Sequence, residues 1–149
     1  VSYAKGTKTS ARNSRFEIMR TLARFEVENT SETTASGYHK ETGERIDVWR
    51  LEFEYDHRQV RFDMDAGDGT DQQLRERYRT LLIHIKSQLA AVETGFIKPE
   101  HAFLMDTLIP VTRDGMTVAI PAREALAPML LDAARTGKPL PPLLPHFTE

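Results

Sequence analysis

The chain has 149 residues, 40% of them apolar and 28% charged, no cysteine, and a net charge of −2. This is the composition of one globular domain, and it excludes disulfides and thiolate metal sites. No apolar run approaches the roughly 18 residues of a membrane-spanning helix, and the opening residues lack the apolar core of a signal peptide, so a cytoplasmic protein is expected.

The small net charge hides a sorted distribution. Residues 1–25 carry six basic groups and one acid, residues 26–71 five basic groups and 13 acids, and residues 72–98 five basic groups and two acids. Segregation of this kind points to a partner or to docking within the molecule.

Residues 1–9 read as a polar basic arm. A first helix follows, with apolar Ile18, Met19, Leu22 and Phe25 at helical spacing. Ser14 and Glu17 match a capping box at its start, and Ser10 offers a start one turn earlier. Residues 26–33 read as an acidic connection, and residues 34–40 as a short strand closed by a turn at Gly43. Residues 46–55 are the strongest strand signal: Trp49, Leu51, Phe53 and Tyr55 alternate with Val48, Arg50, Glu52 and Glu54. After a turn at residues 56–58, residues 59–64 form a third strand with Val60, Phe62 and Met64 on its inner face. The expected result is an antiparallel three-stranded meander with one wet face.

A second helix is expected from about Gln72 to Thr94, stopped by Gly95. Its apolar stripe, Leu74, Tyr78, Leu81, Leu82, Ile85, Leu89 and Val92, suits the aromatic face of the sheet. Pro99 opens an expected third helix. A small hairpin turns at residues 113–116, and a fourth helix over residues 122–136 is kinked or interrupted at Pro128 and stopped by Gly137. The fold class is therefore α+β, a three-stranded antiparallel sheet in α-β-β-β-α order with an additional α-rich C-terminal part. Residues 1–149 form a single domain: the arm, a core over 10–95, a helical extension over 96–137 and a proline-rich tail over 138–149.

Three constellations carry possible chemistry. Arg75, Arg79 and Lys86 fall on one narrow stripe of the second helix. Together with Lys5, Lys8, Arg12 and Arg15 they suit a track of phosphates, or they flank the buried face and pair with the acidic strands. Asp47, Glu52, Glu54 and Asp63 suit an acidic docking face on the sheet for a basic protein partner. Asp63, Asp65, Asp68 and Asp71 crowd nine positions, which suits a divalent cation or a solvated helix-capping loop. An EF-hand does not fit, since its fifth position would be Gly67 and its twelfth Leu74. The five histidines, His39, His57, His84, His101 and His146, show no i, i+4 pairing for a metal. No nucleophile elbow, Walker loop or dinucleotide-binding glycine set is present. No cofactor is implied. The Trp49, Phe53 and Tyr55 stripe reads as core rather than a base-stacking platform, because the second helix needs a face to cover. The tail spacing Pro139-x-x-Pro142 reads as an arm packing through Leu140, Leu143 and Leu144.

The element order resembles that of a double-stranded RNA-binding domain. The chain departs from that family where a basic cluster should open the last helix, having Gln72-Gln73-Leu74-Arg75-Glu76 instead. A second resemblance rests on Ser14-Arg15-x-Glu17-Ile18-x-x-Thr21-Leu22-x-Arg24-Phe25, on Val60-Arg61-Phe62, and on Arg77-x-Arg79-x-Leu81-Leu82-Ile83-His84-Ile85-Lys86-x-x-Leu89-x-x-Val92-Glu93-x-Gly95. With the ending Thr136-Gly137-Lys138-Pro139-Leu140-Pro141-Pro142-Leu143-Leu144-Pro145, these stretches resemble a family of small phage and prophage proteins. In place of a Tyr-Gly pair after the first helix, this chain has Phe25-Glu26. The resemblance implies a mobile-element context, DNA metabolism or host interference, and no catalytic residues. The leading expectation is thus a non-enzymatic accessory protein associating with nucleic acid or with proteins that act on it. The alternatives are an inhibitor or regulator of a host system using the acidic face, and a metal-dependent enzyme using the aspartate loop.

Overall fold

The computed structural model describes residues 4–38, 41–65 and 70–140. The first helix, α1, spans Ala11–Arg24. Three strands follow, β1 (Glu28–Tyr38), β2 (Arg45–Tyr55) and β3 (Arg58–Asp65), and then the long helix α2 (Asp71–Glu93). Two 3-10 turns, Pro99–His101 and Leu104–Asp106, lead into a hairpin of β4 (Leu108–Arg113) and β5 (Met116–Pro121), and the helix α3 (Ala122–Thr136) closes the described chain. The expected α+β order is observed.

The first three strands form an antiparallel sheet in the order β1-β2-β3. Trp49 pairs with Met64, Leu51 with Phe62 and Phe53 with Val60, so the apolar positions of both strands share one face. The turn between them has positive φ at both Asp56 and His57, the two-residue geometry that matches the twist of paired strands. Asp114 and Gly115 repeat this device in the β4–β5 hairpin, where glycine takes its left-handed position at no steric cost.

Both long helices cover the apolar face. Ile18 and Leu22 of α1 and Tyr78, Leu82, Ile85 and Leu89 of α2 are buried with Trp49, Leu51, Phe53 and Val60. The helices run in the same direction. Gln72 donates to the Thr7 carbonyl at one end, Glu17 meets Arg79 and Lys86 midway, and Phe25 shares a cleft with Leu89 and Val92 at the other. Trp49 and Tyr78 pack edge to face with centroids 5.1 Å apart.

The C-terminal unit docks on the β3 side. Val60 bridges to Thr107, and the buried Phe103 ring sits edge-on to Phe53, Tyr55 and Phe62 at 5.3, 5.4 and 6.0 Å. The Arg58 guanidinium fastens the same junction, donating to the Thr107 hydroxyl at 2.8 Å and to the carbonyls of Pro99 and Ala102 at 2.9 Å each.

Several expectations need correction. Helix α1 is capped by Ser10, whose hydroxyl accepts from the Asn13 N–H at 3.1 Å. Ser14 lies inside the helix, buried, so the capping box at Ser14 and Glu17 does not form. Strand β1 begins at Glu28, six residues before the expected start, and the acidic connection is largely strand. Its pairing with β2 imposes that conformation on a polar segment, with an irregularity between Glu28 and Ser31 and positive φ at Asn29. Lys40, the expected end of the strand, lies outside the described residues. Of the two caps that the aspartate-rich loop offers, Thr70 and Asp71, it is Thr70 that caps α2, in a reciprocal box with Gln73. The expected helix at Pro99 is only two 3-10 turns, separated at Phe103, where φ is +56°. Helix α3 runs unbroken through Pro128. Of the proline-rich tail, residues 141–149 lie outside the described residues.

Candidate nucleic-acid interface

The basic arm and the basic helix do meet. The Gly6 N–H donates to Glu76 at 2.8 Å and Gln72 holds the Thr7 carbonyl at 2.9 Å, so the arm lies against the first turns of α2. The N–H of Gly6, the Gln72 amide and the charge of Lys5 all stabilise ionised Glu76, holding its carboxyl below the ordinary range. Lys5 and Lys8 are exposed on this arm.

The candidate cations divide by whether an acid already answers them. Arg15 turns inward: its guanidinium lies 5.6 Å from the Trp49 centroid and 5.8 Å from that of Tyr78. It pairs with Glu32 at 3.2 Å. The same Glu32 carboxylate accepts from the Trp49 indole N–H at 3.2 Å, so Arg15 is held over the rings at the edge of the core and its charge is answered by Glu32. Arg75 pairs with Asp71 one turn earlier at 3.0 Å. Arg79 and Lys86 share one carboxylate, Glu17, at 3.2 and 3.7 Å, which leaves that trio cationic.

Arg12 and Arg20 are exposed, and among the described residues neither has an acid within ion-pair distance. Between them, one turn from each, stands Phe16, which is 66% exposed. The i, i+4, i+8 spacing puts the three on one outward stripe of α1. Arg24 continues the series, its guanidinium 5.5 Å from the Phe25 ring. The outer surface of the α1–α2 layer therefore carries Arg12, Arg20, Arg24, Arg79 and Lys86, with Glu17 between Arg79 and Lys86, Glu93 in the cleft with Arg24, and Glu76 against the arm that bears Lys8. The sequence reading did not count Arg20 and Arg24 among the ligand groups, and it missed Phe16. The signal was in the four-residue spacing of Arg12, Phe16, Arg20 and Arg24.

The acidic docking face does not assemble as expected. Asp47 has the parity of Trp49 and lies on the helix side of the sheet, where it accepts from Ser36 at 2.6 Å. Glu52, Glu54 and Asp63 occupy the opposite face, but arginines interleave with them. Arg50 makes two bonds to Asp63, at 2.7 and 3.0 Å, and this hydrogen bonding raises the arginine's proton affinity further. Arg61 stands 3.7 Å from Glu52, and Asn29 donates to Glu54 at 2.7 Å. This is a cross-strand ladder of opposite charges. Of the aspartate cluster, Asp68 lies outside the described residues, Asp63 is held by Arg50, and Asp71 by Arg75. Among the described residues no three histidine or acidic side chains converge to hold a metal ion, and no helix is long and apolar enough to cross a membrane.

A second concavity, about 840 Å³, runs along β3 between α2 and the start of α3. His84 and Arg123 meet there at Asp106, 3.9 and 3.0 Å away. No family model, curated protein or solved structure matches the chain.

Proposed function

We propose that this chain is a non-enzymatic accessory protein of phage type that associates with nucleic acid through the outer surface of its two-helix layer. The observation that carries the reading is the Arg12–Phe16–Arg20 stripe: two cations with no ion-pair partner among the described residues, flanking an exposed aromatic ring. Burying that ring against the domain would be favourable, and exposed rings among cations are the elements that stack on bases and follow phosphates. Arg24, Arg79, Lys86 and the arm extend the cationic surface to either side. The phage and prophage resemblance supports the same context.

The test is equilibrium binding of the folded chain to duplex RNA, duplex DNA and single strands as salt rises from about 50 to 200 mM, the range over which phosphate contacts weaken steeply. The charge reversals R12E and R20E together should lower the salt slope by roughly 1.5, two phosphate contacts at about 0.7–0.9 each, without changing sequence preference. Replacement of Phe16 by Ala should weaken single-strand binding more than duplex binding. If the wild-type chain binds none of these at about 50 mM salt, the proposal is wrong.

A further inference from the structure

We propose that the nucleic acid taken by the α1 surface is single-stranded, with an unpaired base stacked on the Phe16 ring and the phosphates to either side of it held by Arg12 and Arg20. The inference rests on the nucleic-acid reading and narrows it to one ligand class, bound with little regard to base sequence.

The Phe16 ring is bare. Trp49 and Phe25 each have an arginine over the ring, Arg15 at 5.6 Å and Arg24 at 5.5 Å. Among the described residues no cation or second ring covers Phe16, which is 66% exposed. Tyr38 and Phe96 are exposed as well, but the cations beside them are answered. Arg45, opposite Tyr38 in the sheet, meets Asp47 at 3.5 Å, and Lys98 meets Glu100 at 4.0 Å. Arg12 and Arg20 stand one turn to either side of Phe16, about 6 Å from it along the helix axis. Neither has an ion pair among the described residues. That rise is close to the span of one extended nucleotide. A strand laid along α1 therefore puts a base over the ring while its two flanking phosphates meet the guanidiniums.

The layer that carries the stripe is the wrong shape for a duplex. Helix α2 lies beside α1 for its whole length. Gln72 holds the Thr7 carbonyl ahead of the first turn, Arg79 and Lys86 meet Glu17 midway, and Leu89 and Val92 share the cleft with Phe25. Two helices about 8–10 Å apart, each about 10–12 Å across, present a front of about 20 Å. The major groove of B-form DNA is only about 12 Å wide. An A-form RNA duplex closes its major groove to side chains and is met mainly through 2′-hydroxyls and phosphates. In either duplex the base faces are stacked on one another, so a ring reaches one only by wedging a step apart. An unpaired strand offers its base faces without that cost. Stacking accepts every base, and arginines on phosphates carry no sequence information, so the contact tolerates any sequence.

The test measures binding of the full chain, at about 50 mM salt, to labelled mixed-sequence oligonucleotides as single-stranded DNA, single-stranded RNA and the duplex of each. Single strands should bind at least about fivefold more tightly than duplexes, and a preference for either sugar supports the assignment. Phe16→Ala should cost roughly 5- to 150-fold on single strands, the effect of losing one base–aromatic stack, with duplex binding and the urea midpoint as in wild type. Phe16→Trp should restore the affinity, and its exposed indole fluorescence should be quenched by the bound strand. Three results overturn the assignment: duplexes bound as tightly as single strands, F16A equal to wild type on single strands, or F16A weakening both forms alike, which is the mark of a wedge in a duplex. The charge reversals R12E and R20E keep the two readings apart. If they weaken binding in any of those three cases, the cationic surface stands and only the single-strand assignment falls. Absence of binding to every form removes both.

Discussion

Replacing Arg58 by Ala tests the junction between the sheet and the C-terminal unit. The guanidinium makes three hydrogen bonds at 2.8–2.9 Å, two of them partly buried, to acceptors 41 to 49 residues away. A charge-assisted bond contributes about 1.5–3 kcal/mol when desolvated and much less in water. Counting the two partly buried bonds at the lower end, and the exposed one at little, gives a loss of about 2–4 kcal/mol. The acceptors would not be equally orphaned. The Thr107 hydroxyl keeps its bond to the Phe103 carbonyl at 3.0 Å, while the carbonyl of Ala102 loses the bond from Arg58. Lysine at position 58 carries one ammonium and cannot reproduce the planar fork, so it should recover only part of the loss. The assay is urea unfolding followed by Trp49 fluorescence, together with amide exchange at Ala122, whose N–H donates to the Thr107 carbonyl at 2.8 Å. The expected result is a lower midpoint with exchange at Ala122 accelerated more than exchange at Leu82. A loss under about 1 kcal/mol, the range of a solvated surface contact, would refute the assignment of Arg58 as the clamp.

Other consequences are equally open to measurement. Leu82→Ala or Phe53→Ala, each emptying a fully buried site, should cost about 2–5 kcal/mol in the same unfolding assay. Glu17→Gln removes the acid facing Arg79 and Lys86, so nucleic-acid binding should tighten and its salt slope should steepen; unchanged binding would take those two cations out of the interface. Burial pushes the Tyr78 phenol up, with Arg15 pulling it back and Glu32 adding to the rise. Its contribution to stability is therefore complete below the unfolded value of about 10 and is lost as pH rises through the folded value. Y78F should flatten the alkaline loss of stability, and a tyrosine titration followed in the ultraviolet should show Tyr78 ionising late.

The core was legible because its signals are periodic. The alternation of Trp49, Leu51 and Phe53 and the helical stripe from Leu74 to Val92 each require a partner face, and each is the other's. Strand β1 was hard to bound because its residues carry no such signal: nearly all of Glu28–Tyr38 is exposed, and pairing with β2, not its own apolar pattern, makes it a strand. The Pro99 region failed as a helix because its apolar residues serve different contacts. Phe103 enters the aromatic cluster from a left-handed backbone that no helical pattern anticipates. The basic stripe was visible as a spacing, but the accounting of each cation needed the fold. Arg15 and Arg75 looked like Arg12 in one dimension and differ from it only through Glu32 and Asp71.

The sorted charge along the chain finds its explanation at this level. A positive first segment, a negative middle and a positive second helix are what a layered fold requires if the helices neutralise the sheet they cover. Arg15 with Glu32 does so between layers, and Glu17 with Arg79 and Lys86 does so between the helices. Neutralisation alone, however, would need no Arg12, Arg20 or Lys8, since exposed pairs contribute only about 0–1 kcal/mol each and unpaired exposed cations contribute less to stability. What internal pairing leaves over lies on the outer face of the helical layer, beside an aromatic ring that the core does not use. On the sheet's outer face Asp63 and Glu52 are answered in place by Arg50 and Arg61, so these acids are not counterparts of Arg12 and Arg20. A surplus of one sign collected on one face acts at a distance of about 8–10 Å at physiological salt. That is the property a phosphate-bearing partner responds to, and Arg12 and Arg20 are where it should be measured first.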